Sequence, residues 1–141
     1  MLQVRANDKS EAGVMPGREL IAAMGRFNEE MMQAGIMLAG EGLQPSSKGA
    51  RIAYSGSGSK VLEPPFAKPN ELIAGFWIIQ VNSRQEAIDW ACRAPFEPGD
   101  VVEIRQIFEV SDFPADILPP EEAAREQAWR DRQQKSSGTH R

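Results

Sequence analysis

Residues 71–81 form the longest apolar run in the sequence, and this run constrains the fold more than any other feature. A strand presents alternate side chains to two faces. One face here has Ile73, Gly75, Trp77, Ile79 and Val81, and the other has Leu72, Ala74, Phe76 and Ile78. Because both faces are apolar, both should be buried. Helices on one side of a sheet cover only one face, so the other face predicts packing against a second copy of the chain.

Length and composition indicate a single domain without nucleic acid or membrane partners. The 141 residues suffice for one hydrophobic core. The net charge of −4 argues against direct nucleic acid binding, because phosphate contacts require a basic surface. The single cysteine, Cys92, excludes an intramolecular disulfide and favours a cytoplasmic setting. No apolar run approaches the roughly 20 residues that span a bilayer, and residues 1–5 lack the apolar core of a signal peptide.

The other predicted elements surround this central strand. Residues 1–5, 36–43 and 100–110 alternate like strands, and residues 50–54 and 60–63 are expected to pair as a hairpin around a Ser-Gly tip. Residues 6–17 are predicted to form a loop. A helix follows, because one apolar stripe recurs at helical spacing at Leu20, Met24, Phe27, Met31 and Ala34.

Two local signals set helix ends. Gly35 is placed to stop the first helix in a left-handed cap. Ser83 and Glu86 form a capping-box pattern at the start of a second helix that continues to Cys92.

The composition changes beyond Phe113. Residues 1–113 are predicted to be the folded domain, and residues 114–141 a C-terminal appendage. Residues 121–134 favour a polar helix whose one large apolar residue is Trp129, and residues 135–141 are expected to be disordered.

The order strand, helix, strand, hairpin, strand, helix, strand is a repeated split βαβ arrangement. It predicts an α+β fold of the ferredoxin-like type. Two helices would cover one face of the sheet, and back-to-back packing in a homodimer would cover the other.

Several motifs occur in order along residues 1–113: Glu11-Ala12-Gly13, Phe27-Asn28-Glu29-Glu30, Gly40-Glu41-Gly42-Leu43-Gln44-Pro45-Ser46 and Glu63-Pro64-Pro65-Phe66. Together they resemble the YCII-related family, and specifically its DGPF-domain branch. The resemblance implies a ferredoxin-like domain that assembles as a dimeric α/β barrel. It also implies an association of some members with sigma factors.

The chain departs from this branch at two positions. Glu63 and Pro64 replace the Asp-Gly that gives the branch its name, and Gln44 replaces a histidine that many members have in the preceding turn. The His and Asp catalytic pair implied by the wider family therefore has no histidine here.

The candidate site consists of carboxylates and polar groups around residues 40–46 and 63–66. Glu41 and Glu63 are the candidates for acid–base catalysis. The ligand-binding candidates are Arg5, Asn28, Gln44, Ser46, Phe66 and Arg105. The alternative is structural, with Glu41 paired to Arg5 or Arg105 across the sheet and Glu63 solvated.

Other chemistry has little support in the sequence. His140 is the only histidine and lies in the predicted tail, so a histidine base is not expected. Cys92 has no histidine partner and favours a structural role. No zinc spacing or phosphate loop is present, so neither a metal nor a cofactor is expected.

Two classes of function follow. The first is a small-ligand-binding protein that performs acid–base chemistry on a small polar molecule without metal or histidine. The second is a non-catalytic regulatory or partner module associated with sigma-factor-dependent transcription. A pocket with two or more inward carboxylates would favour the first, and an exposed apolar patch the second.

Overall fold

The computed structural model describes residues 1–66 and 68–137. The strands are β1 (Leu2–Arg5), β2 (Met37–Gly42), β3 (Arg51–Ser55), β4 (Gly58–Leu62), β5 (Ile73–Ile79) and β6 (Val102–Ile104). The helices are α1 (Asp8–Glu11), α2 (Arg18–Gln33), α3 (Arg84–Cys92) and α4 (Pro120–Ser137). The chain forms two compact units, Met1–Arg105 and Gln106–Arg141.

Four strands of the first unit form one antiparallel sheet in the order β2-β5-β1-β6. The apolar strand β5 lies inside this sheet, between β2 and β1. Strands β3 and β4 form a separate two-stranded hairpin, joined by Gly56 and Ser57. The fold is therefore α+β and is compatible with the predicted ferredoxin-like plan.

The hydrophobic core lies on one face of the sheet, which we call the inner face. Its buried residues are Leu2, Phe27, Met31, Ile36 and Trp77. Phe27 and Met31 belong to the apolar stripe predicted for α2, and Met24 of the same stripe is half-buried against them. Alternation along β1 and β5 places Leu2 and Trp77 opposite each other on this inner face.

The end of α2 is a Schellman motif at the predicted glycine. Gly35 has a φ of 70°, a left-handed conformation that favours glycine. The N–H of Ile36 donates to the carbonyl of Met31 at 3.1 Å, and that of Gly35 to the carbonyl of Met32 at 3.0 Å. Ile36 and Met31 both belong to the core cluster, so the cap directs the chain from α2 into β2 with apolar side chains facing inward.

The inner face has a close approach at Gly40 that only glycine permits. A Cβ at Gly40 would lie 2.6 Å from Cδ1 of Trp77 and 2.7 Å from Cε of Met37. The indole of Trp77 therefore packs directly across the backbone of β2. At Gly42, by contrast, a Cβ would meet no atom within 4 Å.

Three elements differ from the sequence-based predictions. Strand β6 has three residues rather than eleven, because its ladder ends where the N–H of Arg105 donates to the carbonyl of Met1 at 2.9 Å. The predicted loop at residues 6–17 contains α1, which Asn7 caps by accepting from the N–H of Ser10 at 2.9 Å.

The helix α4 extends through Ser137, so residues 135–137 are helical rather than disordered. The rest of the predicted tail, with His140, lies outside the described residues.

The second capping signal is confirmed with a small shift. Ser83 Oγ accepts from the N–H of Glu86 at 3.1 Å, as predicted for α3. The Glu86 carboxylate accepts from the N–H of Asn82 at 2.8 Å, one residue before the expected partner.

The second unit contains α4 and the segment before it. Arg130 donates to the carbonyl of Phe108 at 2.9 Å and pairs with Glu126 at 3.0 Å. The rings of Phe108 and Phe113 lie 5.3 Å apart between centroids. Trp129 is 48% exposed, which agrees with a helix that has little apolar surface to bury. None of the helices in the described part of the chain is both long and apolar enough to cross a lipid bilayer.

The contact between Trp77 and Gly40 predicts opposite outcomes for two glycine substitutions. Gly40→Ala should lower the free energy of unfolding by about 1–3 kcal/mol, because the new methyl group overpacks the core. Gly42→Ala should leave it unchanged or raise it by up to about 1 kcal/mol, because the position is open and alanine restricts the unfolded chain. Urea unfolding followed by tryptophan fluorescence measures both. Equal effects of the two substitutions would contradict this packing.

Candidate functional site

The face of the sheet opposite the core, which we call the outer face, contains the predicted catalytic residue Glu41. The strand register aligns Glu41 with Phe76, Phe76 with Gln3 and Gln3 with Glu103. One row of side chains therefore crosses all four strands. Glu41 stands at the β2 edge and Glu103 at the β6 edge.

The predicted countercharges for Glu41 lie on the same face but farther across the sheet. Arg105 continues the alternation of Glu103, so Arg105 and Glu41 are separated by three interstrand spacings, roughly 14 Å between backbones. Arg5 and Arg105 each approach the Glu103 carboxylate at 3.9 Å. No hydrogen bond or ion pair in residues 1–66 and 68–137 involves the Glu41 carboxylate. The structural alternative for Glu41, pairing with either arginine, is therefore wrong within one chain.

Ser46, a predicted ligand-binding residue, is bound by a residue that the sequence analysis did not select. The carboxylate of Glu11, the last residue of α1, accepts from the Ser46 N–H at 3.2 and 3.3 Å and also from its hydroxyl. Both residues are half-buried. This contact ties α1 to the turn that follows β2, so Ser46 has a structural partner in place of an open ligand position.

The other predicted residues are dispersed. Asn28 lies on α2 and accepts from Nε1–H of Trp77 at 2.9 Å, on the inner side of the sheet and away from Glu41. The ring of Phe66 is covered by the Arg51 guanidinium, 4.5 Å from its centroid. Gln44 and Glu63 are exposed. At Gly40, within the candidate segment 40–46, the indole of Trp77 covers the backbone on the inner face.

A cleft of about 470 Å³ lies at the end of β1. Its lining comes from three segments of the first unit: Arg5, Ala6, Asn7, Asp8, Pro69, Asn70, Gly99, Asp100 and Val101. Of the predicted site residues, it includes Arg5. Its volume falls within the range of roughly 300–1,000 Å³ that is typical of small-molecule sites.

Backbone hydrogen bonds hold the end of β1 on both sides of the cleft. The N–H of Arg5 donates to the carbonyl of Val101 at 2.9 Å, and the N–H of Ala6 donates to the carbonyl of Leu72 at 3.0 Å. These bonds join β1 to the segments that lead into β6 and β5, respectively. The cleft is therefore formed where the two neighbours of β1 enter the sheet.

Side chains complete the walls. Arg5 Nη2 donates to the carbonyl of Asn70 at 2.5 Å. Asn7 Nδ2 donates to Asp100 Oδ1 at 3.2 Å, and Asp100 Oδ2 accepts from the N–H of Glu97 at 2.9 Å. The cleft is thus lined by one arginine, two acidic residues, Asp8 and Asp100, and two asparagines, next to Pro69 and Val101.

The sequence contains a helix-capping signal for some of these residues. Asn7 and Ser10 have the spacing of a capping box, in which each side chain bonds the backbone of the other. That signal locates α1 and, with it, Asp8. Nothing local in the sequence connects Asn70 and Asp100 to Arg5.

The described residues contain no group of three or more His, Cys, Asp or Glu side chains arranged to hold a metal ion. Within the first unit, burial affects the ionisation of the amino group of Met1. Burial lowers the pKa of the Met1 amino group below its ordinary value, and this group donates to the carbonyl of Arg105 at 2.6 Å.

A family model described as YCII-related domain matches residues 1–111. No curated protein matches the chain.

The contact between Glu11 and Ser46 predicts a measurable loss of stability. Glu11→Ala should lower the free energy of unfolding by about 1 kcal/mol, because it removes a charged acceptor from two half-buried donors. Glu29→Ala is the matched control, since Glu29 is exposed on α2 and its side chain makes no hydrogen bond to the residues that the structure describes. Urea unfolding of both variants tests this. If Glu11→Ala behaves like Glu29→Ala, the contact does not stabilise the fold.

Proposed function

The chain belongs to the YCII-related domain family, and we propose that it is a small-ligand-binding protein that takes up a small polar molecule in the cleft at the end of β1. The observation that supports this most directly is the position of Arg5. Arg5 lines a cleft of suitable volume, its guanidinium is bonded to Asn70 of the same lining, and its side chain is 29% exposed, so the group is held yet accessible to a ligand.

The construction of the cleft supports binding. The two backbone bonds from Arg5 and Ala6 fix the floor, and the bond from Arg5 to Asn70 fixes the guanidinium. A site whose groups are already ordered loses less conformational entropy when a ligand binds. Arginine also recognises carboxylates and phosphates through paired donors, which suits a small anionic group.

Binding has more support than acid–base catalysis by Glu41 and Glu63. Neither carboxylate belongs to the cleft lining, and both are exposed. A catalytic role for this pair would require a substrate that lies on the outer face. We propose such chemistry only in combination with the assembly described next.

The outer face supports a second candidate, a self-associating partner module. Its central residues are apolar and half-buried in the single chain: Ala39, Ala74, Phe76 and Ile78. Burying them fully would favour association, since buried apolar area contributes about 25 cal/mol per Å². This is the face that the sequence of β5 assigns to a second copy.

The charges at the sheet edges support one arrangement of that dimer. Glu41 is at the β2 edge, whereas Arg105 and Arg5 with their shared Glu103 are on the β6 side. A two-fold axis parallel to the strands places the β2 edge of one copy over the β6 edge of the other. The shared row would then place Glu41 over Glu103 of the second copy, and the Arg5 and Arg105 guanidinium groups that approach Glu103 there would supply the countercharge missing within one chain. We propose this back-to-back homodimer as the assembly of the protein.

Ligand binding is tested with a panel of small carboxylates, phosphates and amides in a thermal-shift assay. A ligand at 100 times its Kd should stabilise the wild-type protein by about 2.7 kcal/mol. Arg5→Met keeps much of the apolar stem and removes the charge, so it should reduce the shift for anionic compounds. Arg26→Met, at an exposed position of α2, should leave it unchanged. The absence of any stabilising compound, or equal shifts in both variants, would contradict the proposal.

The assembly is tested by sedimentation at low micromolar concentration. The wild-type protein should sediment at twice the chain mass of 15.6 kDa. Ile78→Asp on the outer face should produce monomers, because association would bury a carboxylate. Ile21→Asp, at an exposed position on α2, should remain dimeric. Circular dichroism of both variants verifies folding, and a wild-type monomer would exclude the dimer.

A further inference from the structure

The cleft at the end of β1 has charges of both signs. The order of the strands places the segments that hold these charged groups on opposite sides of β1. The turn with Pro69 and Asn70 precedes β5, and the segment with Gly99 and Asp100 precedes β6. Because β5 and β6 flank β1, these two walls lie on opposite sides of the end of β1. Arg5 is bonded to the Asn70 wall, whereas Asp100 is bonded to Asn7 at the start of α1.

The charged groups keep unused hydrogen-bonding capacity. A guanidinium has five N–H donors, and the contacts of Arg5 are one bond to Asn70 and the longer 3.9 Å approach to Glu103. Each oxygen of Asp100 accepts one hydrogen bond, so each retains a lone pair. The Asp8 carboxylate has no hydrogen-bond or ion-pair partner among the described residues.

We propose that the cleft binds a small zwitterion of the amino-acid class. The carboxylate of the ligand would accept from Arg5, and its ammonium would donate to Asp8 and Asp100. The apolar surface of Pro69 and Val101 would contact the carbon chain between or beside the two charges. This inference deepens the proposed ligand-binding function and rests on it, since it names the chemical class for the same cleft.

The mixed lining favours this class over simple anions or cations. A dianion would gain from Arg5 but lie close to two carboxylates, and like charges in a partly desolvated site oppose binding. A simple cation would gain from the carboxylates and lie close to the guanidinium. A zwitterion satisfies both signs and leaves the net charge of the cleft unchanged.

The test uses two isomeric probes with different charge spacing, L-norvaline and 5-aminopentanoate. Each is compared with its N-acetyl derivative, which lacks the ammonium, and with its amide, which lacks the carboxylate. Isothermal titration calorimetry on the full chain measures Kd. At least one of the two zwitterions should bind, and each blocked derivative of that isomer should bind about tenfold more weakly or worse.

Substitutions in the cleft test which protein groups bind each end of the ligand. Arg5→Met should weaken binding of the zwitterion and remove the difference in affinity between the zwitterion and its amide. Asp8→Asn, at an exposed position that need not disturb folding, should reduce the difference in affinity between the zwitterion and its N-acetyl derivative. Asp100→Asn should reduce this difference further. Asp89→Asn on α3, outside the cleft, is the control and should bind like the wild type. Circular dichroism verifies that each variant is folded.

Failure of this inference is distinguishable from failure of the proposed function. If neither zwitterion binds, or if the blocked derivatives bind equally well, the zwitterion is the wrong class. If another compound of the wider panel still binds in an Arg5-dependent way, the ligand-binding function stands and only the zwitterion class is excluded. If Arg5→Met changes the binding of no compound, both proposals are overturned.

Discussion

The side chain of Trp77 connects the central strand β5 to α2, to β2 and to the segment after α3. Its Nε1–H donates to Asn28 on α2, its ring meets Phe27 edge-on at 5.6 Å and Phe96 at 6.1 Å, and its indole covers Gly40 of β2. Each aromatic pair contributes about 0.5–1.5 kcal/mol beyond area burial, and the hydrogen bond contributes about 1 kcal/mol. Because Trp77 is on β5, these contacts fix the strand that lies between β2 and β1. The position of β1, and of everything that its end supports, depends on this packing.

The proposed ligand site follows from that arrangement. β1 has a neighbour on each side, and its last residues donate backbone hydrogen bonds to the segments that enter both neighbours. The cleft is therefore supported by the sheet, and the guanidinium of Arg5 is held by Asn70 at its base. The same residue approaches Glu103 on the outer face. A single arginine thus links the cleft to the face that we assign to a second copy, so the proposed ligand binding and the proposed association would share a structural element.

Local sequence signals predicted the parts of the structure that local chemistry determines. The apolar run gave β5, the stripe ending at Gly35 gave α2 with its cap, and Ser83 marked the start of α3. The extent of β6 was wrong because it depends on where its partner strand ends, which periodicity does not report. The cleft was missed because its contacts join residues 65 and 93 positions apart. The predicted site around Glu41 was not assembled because Asn28 bonds Trp77 on the inner face, Ser46 bonds Glu11, and Arg105 stands at the far edge of the sheet.

A nuclear magnetic resonance titration of the full chain tests most directly whether ligands bind at the end of β1. Amide resonances are recorded while a stabilising compound is added, and the perturbed positions are mapped onto the fold. The account predicts that the largest perturbations fall on Asn7, Asn70 and the Gly99–Asp100 segment, which line the cleft from three sides. Perturbations concentrated instead at Glu41, Ser46 and Glu63, with the cleft residues unchanged, would contradict it and would place the site where the sequence alone first suggested.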